Sequence, residues 1–141
     1  MKTLGMTVKE FENWPHHVLI ADDNQHFLAI MKDFLSVYPE IKIKTATNAV
    51  QTGMIAKEFQ PDVIVLGIKL GGIDGREICK SFRADLQMKD VKILGISGKI
   101  THEDEKTLLN QGFDAYLKKP FDGNELYKAI NNLLKETSLK R

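Results

Sequence analysis

The sequence predicts an α/β fold: a five-stranded parallel sheet with five helices packed on its two faces, a three-layer sandwich. Three observations carry that prediction. Short apolar and β-branched runs alternate with longer stretches in which apolar residues recur every three or four positions. The strand–helix alternation occurs five times, and parallel strands need crossover helices to connect them. The chain has 141 residues, 43% hydrophobic and 28% charged, which suits one globular domain.

Taken in order, Val18-Leu19-Ile20-Ala21 reads as a buried first strand that ends abruptly in Asp22-Asp23-Asn24. Phe27, Ile30, Met31, Phe34 and Leu35 mark the apolar face of a first helix, closed by Pro39. Ile41 to Thr45 alternates apolar residues with Lys42 and Lys44, as a protected edge strand does. Val50, Met54, Ile55 and Phe59 mark a second helix stopped by Pro61, and Met31 and Met54 both read as core. Asp62 to Leu66 suits a central strand. Gly71-Gly72 and Asp74-Gly75 are turn chemistry. A third helix begins over Glu77 to Arg83, followed by a strand at Val91 to Ile96 and a short helix at Glu103 to Asn110. Ala115 to Leu117 is a short fifth strand. Asp122 can cap a last helix whose apolar face is Leu126, Ile130, Leu133 and Leu134. The expected domain is 17–136. An N-terminal extension, 1–16, precedes it, with Phe11 and Trp14-Pro15 either packing back or leading into a tether. A frayed tail, 137–141, follows.

Composition excludes several classes of function. Lys and Arg number 20 against 19 Asp and Glu, so no charge imbalance points to nucleic acid or an anionic membrane as a partner. One cysteine, Cys79, excludes an internal disulfide and a CxxC metal site; beside Ile78 it reads as a core thiol. No apolar run approaches the ~20 residues of a membrane span, and the N-terminus lacks a signal core. The expected location is the cytoplasm. His16, His17, His26 and His102 have no metal-ligand spacing; His16 and His17 are expected exposed, and His26 lies near the acid pair. There is no GxGxxG, no GxxxxGK[ST] and no triad ordering, so a nucleotide- or flavin-binding enzyme is the least supported reading and no enzymatic activity is expected.

In parallel α/β sheets chemistry sits beyond the carboxyl ends of the strands. The residues there are Asp22-Asp23, Gly67-Ile68-Lys69, Ser97-Gly98 and Lys118-Lys119-Pro120. Adjacent carboxylates supply the hard oxygens Mg²⁺ prefers; the plainer reading is that one of them caps the helix. The Ser97 hydroxyl and Lys119 ammonium add donors and a cation, which phosphoryl oxygens require.

The stretches VLIADDN (18–24), PDVIVLGIKLGGIDG (61–75), VKILGISGK (91–99) and DAYLKKPF (114–121) resemble, in order and separation, the receiver domain of two-component response regulators. The resemblance covers residues 17–136. It implies a flavodoxin-like fold with strand order 2-1-3-4-5 and a role in phosphorelay signal transduction. It implies roles for residues too. Asp22 and Asp23 match the acidic pair, with Asp23 the direct Mg²⁺ ligand. Lys69 matches the residue whose backbone carbonyl binds the metal. Ser97 matches the switch hydroxyl, Tyr116 the aromatic rotamer switch, and Lys119 the lysine that pairs with phosphoaspartate. Lys119–Pro120 is the family's unusual peptide bond, a candidate for cis. The partners implied are a histidine kinase or a downstream signalling protein, and a second copy through the fourth helix, fifth strand and fifth helix.

One position departs from the pattern. Receivers place the phosphoacceptor aspartate at the end of the third strand, and here that position is Gly67. Glycine offers no nucleophile and removes one metal carboxylate. Mg²⁺ is therefore expected to bind weakly or not at all, and Lys119 to turn to Asp22 and Asp23. Asp62 starts the strand and Asp74 belongs to the next loop, so neither can substitute. With no phosphoryl group, the Tyr116 rotamer is expected to be fixed. Gly71 stands where receivers carry proline, which predicts a mobile loop. Two readings compete: a receiver that is not phosphorylated and acts through protein contacts, and an ordinary receiver altered at position 67. Retention of Asp22, Asp23, Ser97, Tyr116 and Lys119 argues for the second or for a recent loss of the acceptor, and the expected reading is the first. With no output domain after residue 136, a stand-alone receiver or a fragment of a longer regulator is expected.

Overall fold

Strands whose residues are apolar on both faces need cover on both faces, and the chain supplies it. The computed structural model describes residues 15–98 and 102–140, except for the side chains of 102–105 and 137–140. In chain order the elements are β1 (His16–Ala21), α1 (Gln25–Leu35), β2 (Ile41–Ala46), α2 (Ala49–Phe59), β3 (Val63–Gly67), β4 (Lys69–Leu70), β5 (Ile73–Asp74), α3 (Gly75–Ala84), β6 (Lys92–Ser97), α4 (His102–Asn110), β7 (Ala115–Lys118) and α5 (Gly123–Lys140). The main sheet is parallel, with order β2-β1-β3-β6-β7. Setting aside the β4–β5 hairpin, this is the order 2-1-3-4-5.

Alternate strand residues serve opposite faces. Leu19, Ala21, Ile64, Leu66 and Ile93 join a cluster with Ala56, Phe59, Cys79, Phe82 and Leu108 from α2, α3 and α4. Val18, Ile20, Val63, Val65, Leu94 and Ile96 join the opposite cluster, with Leu28, Met31 and Leu35 of α1 and Leu126, Ile130, Leu133 and Leu134 of α5. Asn24, Asn48 and Asp74 cap α1, α2 and α3. Asp122 and Glu125 bond each other's backbone N–H, a reciprocal capping box at the start of α5.

Several expectations need correction. β1 begins at His16, because His16 pairs with Ile41 and its N–H donates to the Glu40 carbonyl. His16 and His17 are half-buried, not exposed. The His17 ring stacks on Phe59 at 4.3 Å, with Nδ1 2.7 Å from the Phe59 carbonyl oxygen. Met54 is 67% exposed and Val50 70%, while Ile30 is 48% exposed. The buried line of α2 is Thr52, Ala56 and Phe59, and that of α1 is Leu28, Met31 and Leu35. Helix α3 starts at Gly75, where Asp74 caps it. The backbone stays helical to Lys140, where a tail is expected. Gly71 and Gly72 have φ of 55° and 90° and form the two-residue turn between β4 and β5. Successive positive φ values define a type I′ hairpin, so the turn chemistry read at Gly71-Gly72 is a tight two-residue turn, a backbone conformation that glycine adopts without strain. Phe11, Trp14 and Lys99 lie outside the described residues. Among the described residues no helix is long and apolar enough to cross a membrane.

Candidate functional site

The strand register aligns the ends that carry the chemistry. Ala21 pairs with Leu66, Gly67 with Ile96, and Ser97 with Lys118. A cavity of about 690 Å³ opens there, lined by Asp22, Asp23, Gly67, Lys69, Ser97 and Lys119, with Gly72, Ile73, Asp74 and Arg76 at one wall. Six of the seven site residues read from the sequence thus meet in one place. The seventh, Tyr116, stands just behind it: its hydroxyl donates to the Ser97 carbonyl at 2.8 Å. The same carbonyl accepts the Lys119 backbone N–H at 2.9 Å. The Lys119–Pro120 bond is cis.

Asp22 is buried and its two oxygens are both engaged. Oδ1 accepts the Asn24 N–H at 2.9 Å, and Oδ2 accepts the Lys119 ammonium at 2.8 Å. Asp23 is exposed and makes no hydrogen bond or ion pair among the described residues. Lys119 therefore turns to one acid, not to both as expected. Its Nζ also lies 4.0 Å from the centroid of the Phe27 ring.

Gly67 is buried at the floor. A Cβ placed on it would lie 3.2 Å from the Ala21 carbonyl oxygen, 3.2 Å from Asp22 Oδ2 and 3.3 Å from the Lys69 carbonyl oxygen. The Lys69 carbonyl oxygen thus faces the space above Gly67. Gly75 allows this close packing, since a Cβ there would run into the Gly67 carbonyl oxygen.

Asp74 and Arg76 also line the cavity, and nothing in the sequence marks them as site residues. The hairpin turns the chain back on itself, and no spacing in the sequence shows that. Asp74 Oδ1 accepts the Arg76 N–H at 2.9 Å and lies 3.4 Å from its Nε. In the sequence Phe27 marks only the apolar face of the first helix, although an aromatic in the first turn after an acid pair is within reach of the strand ends. His26 is exposed on α1. Asp62 sits at the opposite end of the sheet, accepting the His17 N–H, so it cannot stand in at position 67.

Magnesium needs several hard oxygens arranged octahedrally. The present donors are one unengaged carboxylate, Asp23, and the Lys69 carbonyl, with Asp22 held by a cation. An ion taken up here would have to displace the Lys119 ammonium from Asp22 and draw its remaining oxygens from water. Among the described residues no group of three or more His, Cys, Asp or Glu is placed to hold a metal.

Residues 18–131 match the family described as the response regulator receiver domain. The chain is 28% identical over 123 residues to the DNA-binding dual master transcriptional regulator RpaA of Synechocystis, covering 85% of this chain and 49% of RpaA. It is 25% identical over 122 residues to the polar-differentiation response regulator DivK of Brucella anthropi, covering 85% of this chain and 97% of DivK. The chain thus spans about half the length of RpaA. Among solved structures, the receiver domain of the Francisella response regulator 1452 superposes with a TM-score of 0.79 at 27% identity, covering 86% of this chain and 98% of that one.

Proposed function

Since the chain belongs to the response regulator receiver domain family, we infer that it is a two-component signalling receiver whose own site takes up no phosphoryl group. One observation carries this: the residue at the floor of the pocket, between the Lys69 carbonyl and Asp22, is Gly67. Phosphoryl transfer to a receiver needs a carboxylate oxygen to attack phosphorus, and glycine has no side-chain atom to do so.

Receiver domains bind Mg²⁺ at their phosphorylation site. Here Mg²⁺ binds weakly or not at all, because Lys119 already neutralises Asp22 and the third carboxylate is absent. Lys119 and Ser97 keep the places that would meet a phosphoryl group, and Tyr116 is held on the Ser97 carbonyl. The chain is not an enzyme. It signals by contact with a histidine kinase or a downstream signalling protein, or by pairing with a second copy across α4, β7 and α5. It works in the cytoplasm, without nucleic acid or membrane contact of its own.

The second reading, an ordinary receiver altered at position 67, is favoured by the assembled pocket around that glycine. Intact mass after treatment with a small phosphodonor and Mg²⁺, on the chain and on Gly67→Asp side by side, tests the first reading and the competence of the pocket around the glycine. The chain stays unmodified under the first reading. A gain of one phosphoryl group on Gly67→Asp would leave a single residue separating this chain from a phosphoaccepting receiver. A gain on the unaltered chain would end the proposal.

A further inference from the structure

Four contacts beside the pocket, running through its lining residues Asp22 and Lys119, close on themselves. The Asn24 N–H donates to Asp22 Oδ1 at 2.9 Å, and the Phe27 N–H donates to Asn24 Oδ1 at 3.0 Å. The Phe27 ring lies under Lys119 Nζ at 4.0 Å, and Lys119 Nζ returns to Asp22 Oδ2 at 2.8 Å. We propose that Phe27 is a positioning residue that holds Lys119 on Asp22, and that this ring of contacts keeps divalent cations off the acid pair.

The geometry favours holding over passive packing. Phe27 is the third residue of α1, and the Asn24 cap fixes its backbone relative to Asp22. Phe121, after β7, meets its ring edge-on at 5.6 Å and 85°. The ring therefore presents its face, the negative part of the aromatic quadrupole, to the ammonium. The Asp22 side chain is 4% exposed and that of Lys119 28%, so water screens the pair little. A divalent cation that reaches Asp22 must displace this ammonium or approach against its charge. Asp23 alone, exposed, is a single ligand.

The inference depends on the absence of an acceptor only in one respect: an aspartate at position 67 would compete with Asp22 for Lys119. Metal affinity and phosphorylation are measured separately, so failure of one does not hide in the other.

The test is a Mn²⁺ titration of the full chain followed by water-proton relaxation, with Phe27→Leu, Phe27→Tyr and Lys119→Met beside it. Phe27→Leu keeps apolar bulk and loses the π-face. It should bind Mn²⁺ about two- to tenfold more tightly, the ratio a cation–π contact supports. Lys119→Met should tighten binding at least as much, and Phe27→Tyr should stay at the level of the unaltered chain. The Lys119 side-chain proton resonances should lie upfield in the unaltered chain and move downfield in Phe27→Leu as the ring current goes. A residue that only packs would lower stability and leave metal affinity unchanged or weaker. Unchanged or weaker Mn²⁺ binding in folded Phe27→Leu therefore overturns the proposal, as does an unshifted Lys119. If Phe27→Leu does not fold, Phe27→Tyr with altered affinity overturns it as well. An unmodified mass with unchanged metal affinity would remove the lock and leave the receiver reading standing.

Discussion

A carboxylate at position 67 has to enter a space already edged by oxygen. The Cβ would sit 3.2–3.3 Å from two backbone carbonyls and one Asp22 oxygen, closer than ordinary contact. The added charge would also face Asp22 and Asp23. Gly67→Asp should therefore lose about 1–3 kcal/mol of stability in a chelator, the usual range for overfilling a packed site. Mg²⁺ should return part of that loss, because an ion that binds only the folded state stabilises it. Urea midpoints with and without Mg²⁺ measure this, and the unaltered chain should show no Mg²⁺ dependence. On α3, burial pushes the Cys79 thiol up to about 11. The unfolded thiol ionises at lower pH than the folded one. The contribution of this group to stability is thus complete below the free thiol's pKa and falls as pH rises toward 11. A disulfide reagent at about pH 8 should label the native chain no faster than it unfolds, and label it at once in urea. Prompt labelling of the native chain would mean Cys79 is not buried as described.

At the scale of elements, one side chain joins more of the fold than its place in the sequence suggests. Arg83, in the last turn of α3, donates to the Gly112 carbonyl from Nε at 2.9 Å and from Nη2 at 2.7 Å. It also donates to the Lys89 carbonyl, the Val91 carbonyl and Asp114 Oδ2. It thus ties α3 to the entry of β6 and to the turn before β7. Arg83→Ala should cost about 2–4 kcal/mol, because charged hydrogen bonds are lost and half-buried carbonyls are left unmet. Arg83→Lys should recover little, since an ammonium cannot form the fork. Denaturant unfolding with unchanged m-value checks both. Partners of this kind are carbonyls, which have no signature in a sequence. Strands and caps are legible, since β-branched runs and Asn or Asp before a helix state their roles locally. Helix faces are less so. On α2 the line Val50–Met54 looks apolar but is exposed, and the buried line contains Thr52, whose hydroxyl is satisfied by the Asn48 carbonyl at 2.7 Å. The site is legible where it hangs on strand ends: Asp22, Asp23, Gly67, Ser97 and Lys119. Phe27, Asp74 and Arg76 are not, because a cap and a hairpin bring them there.

At the scale of the whole molecule, the proposed function raises the question of how a receiver would change state without a covalent event in its pocket. A two-state equilibrium moves only by a ligand's differential affinity for the states. With no acceptor at position 67, a phosphodonor has nothing to bias. On the proposed reading, the bias falls to whatever docks on the outer surface. In this structure β6 and β7 are held together at the pocket: the Ser97 carbonyl accepts both the Tyr116 hydroxyl and the Lys119 N–H, and Lys119 is in turn held by Asp22. A phosphoryl group, if one formed, would compete for Lys119 and Ser97 and so pull on both strands. The amide spectrum of the chain should therefore be unchanged when a phosphodonor and Mg²⁺ are added. Gly67→Asp under the same conditions should shift resonances along Ile96–Gly98 and Ala115–Lys119. Shifts in the unaltered chain without a mass gain would mean that phosphodonor or Mg²⁺ binds non-covalently and that the pocket still senses it. A Gly67→Asp spectrum unmoved despite a mass gain would mean that the Lys119–Asp22 contact outlasts phosphorylation, so that β6 and β7 no longer transmit it.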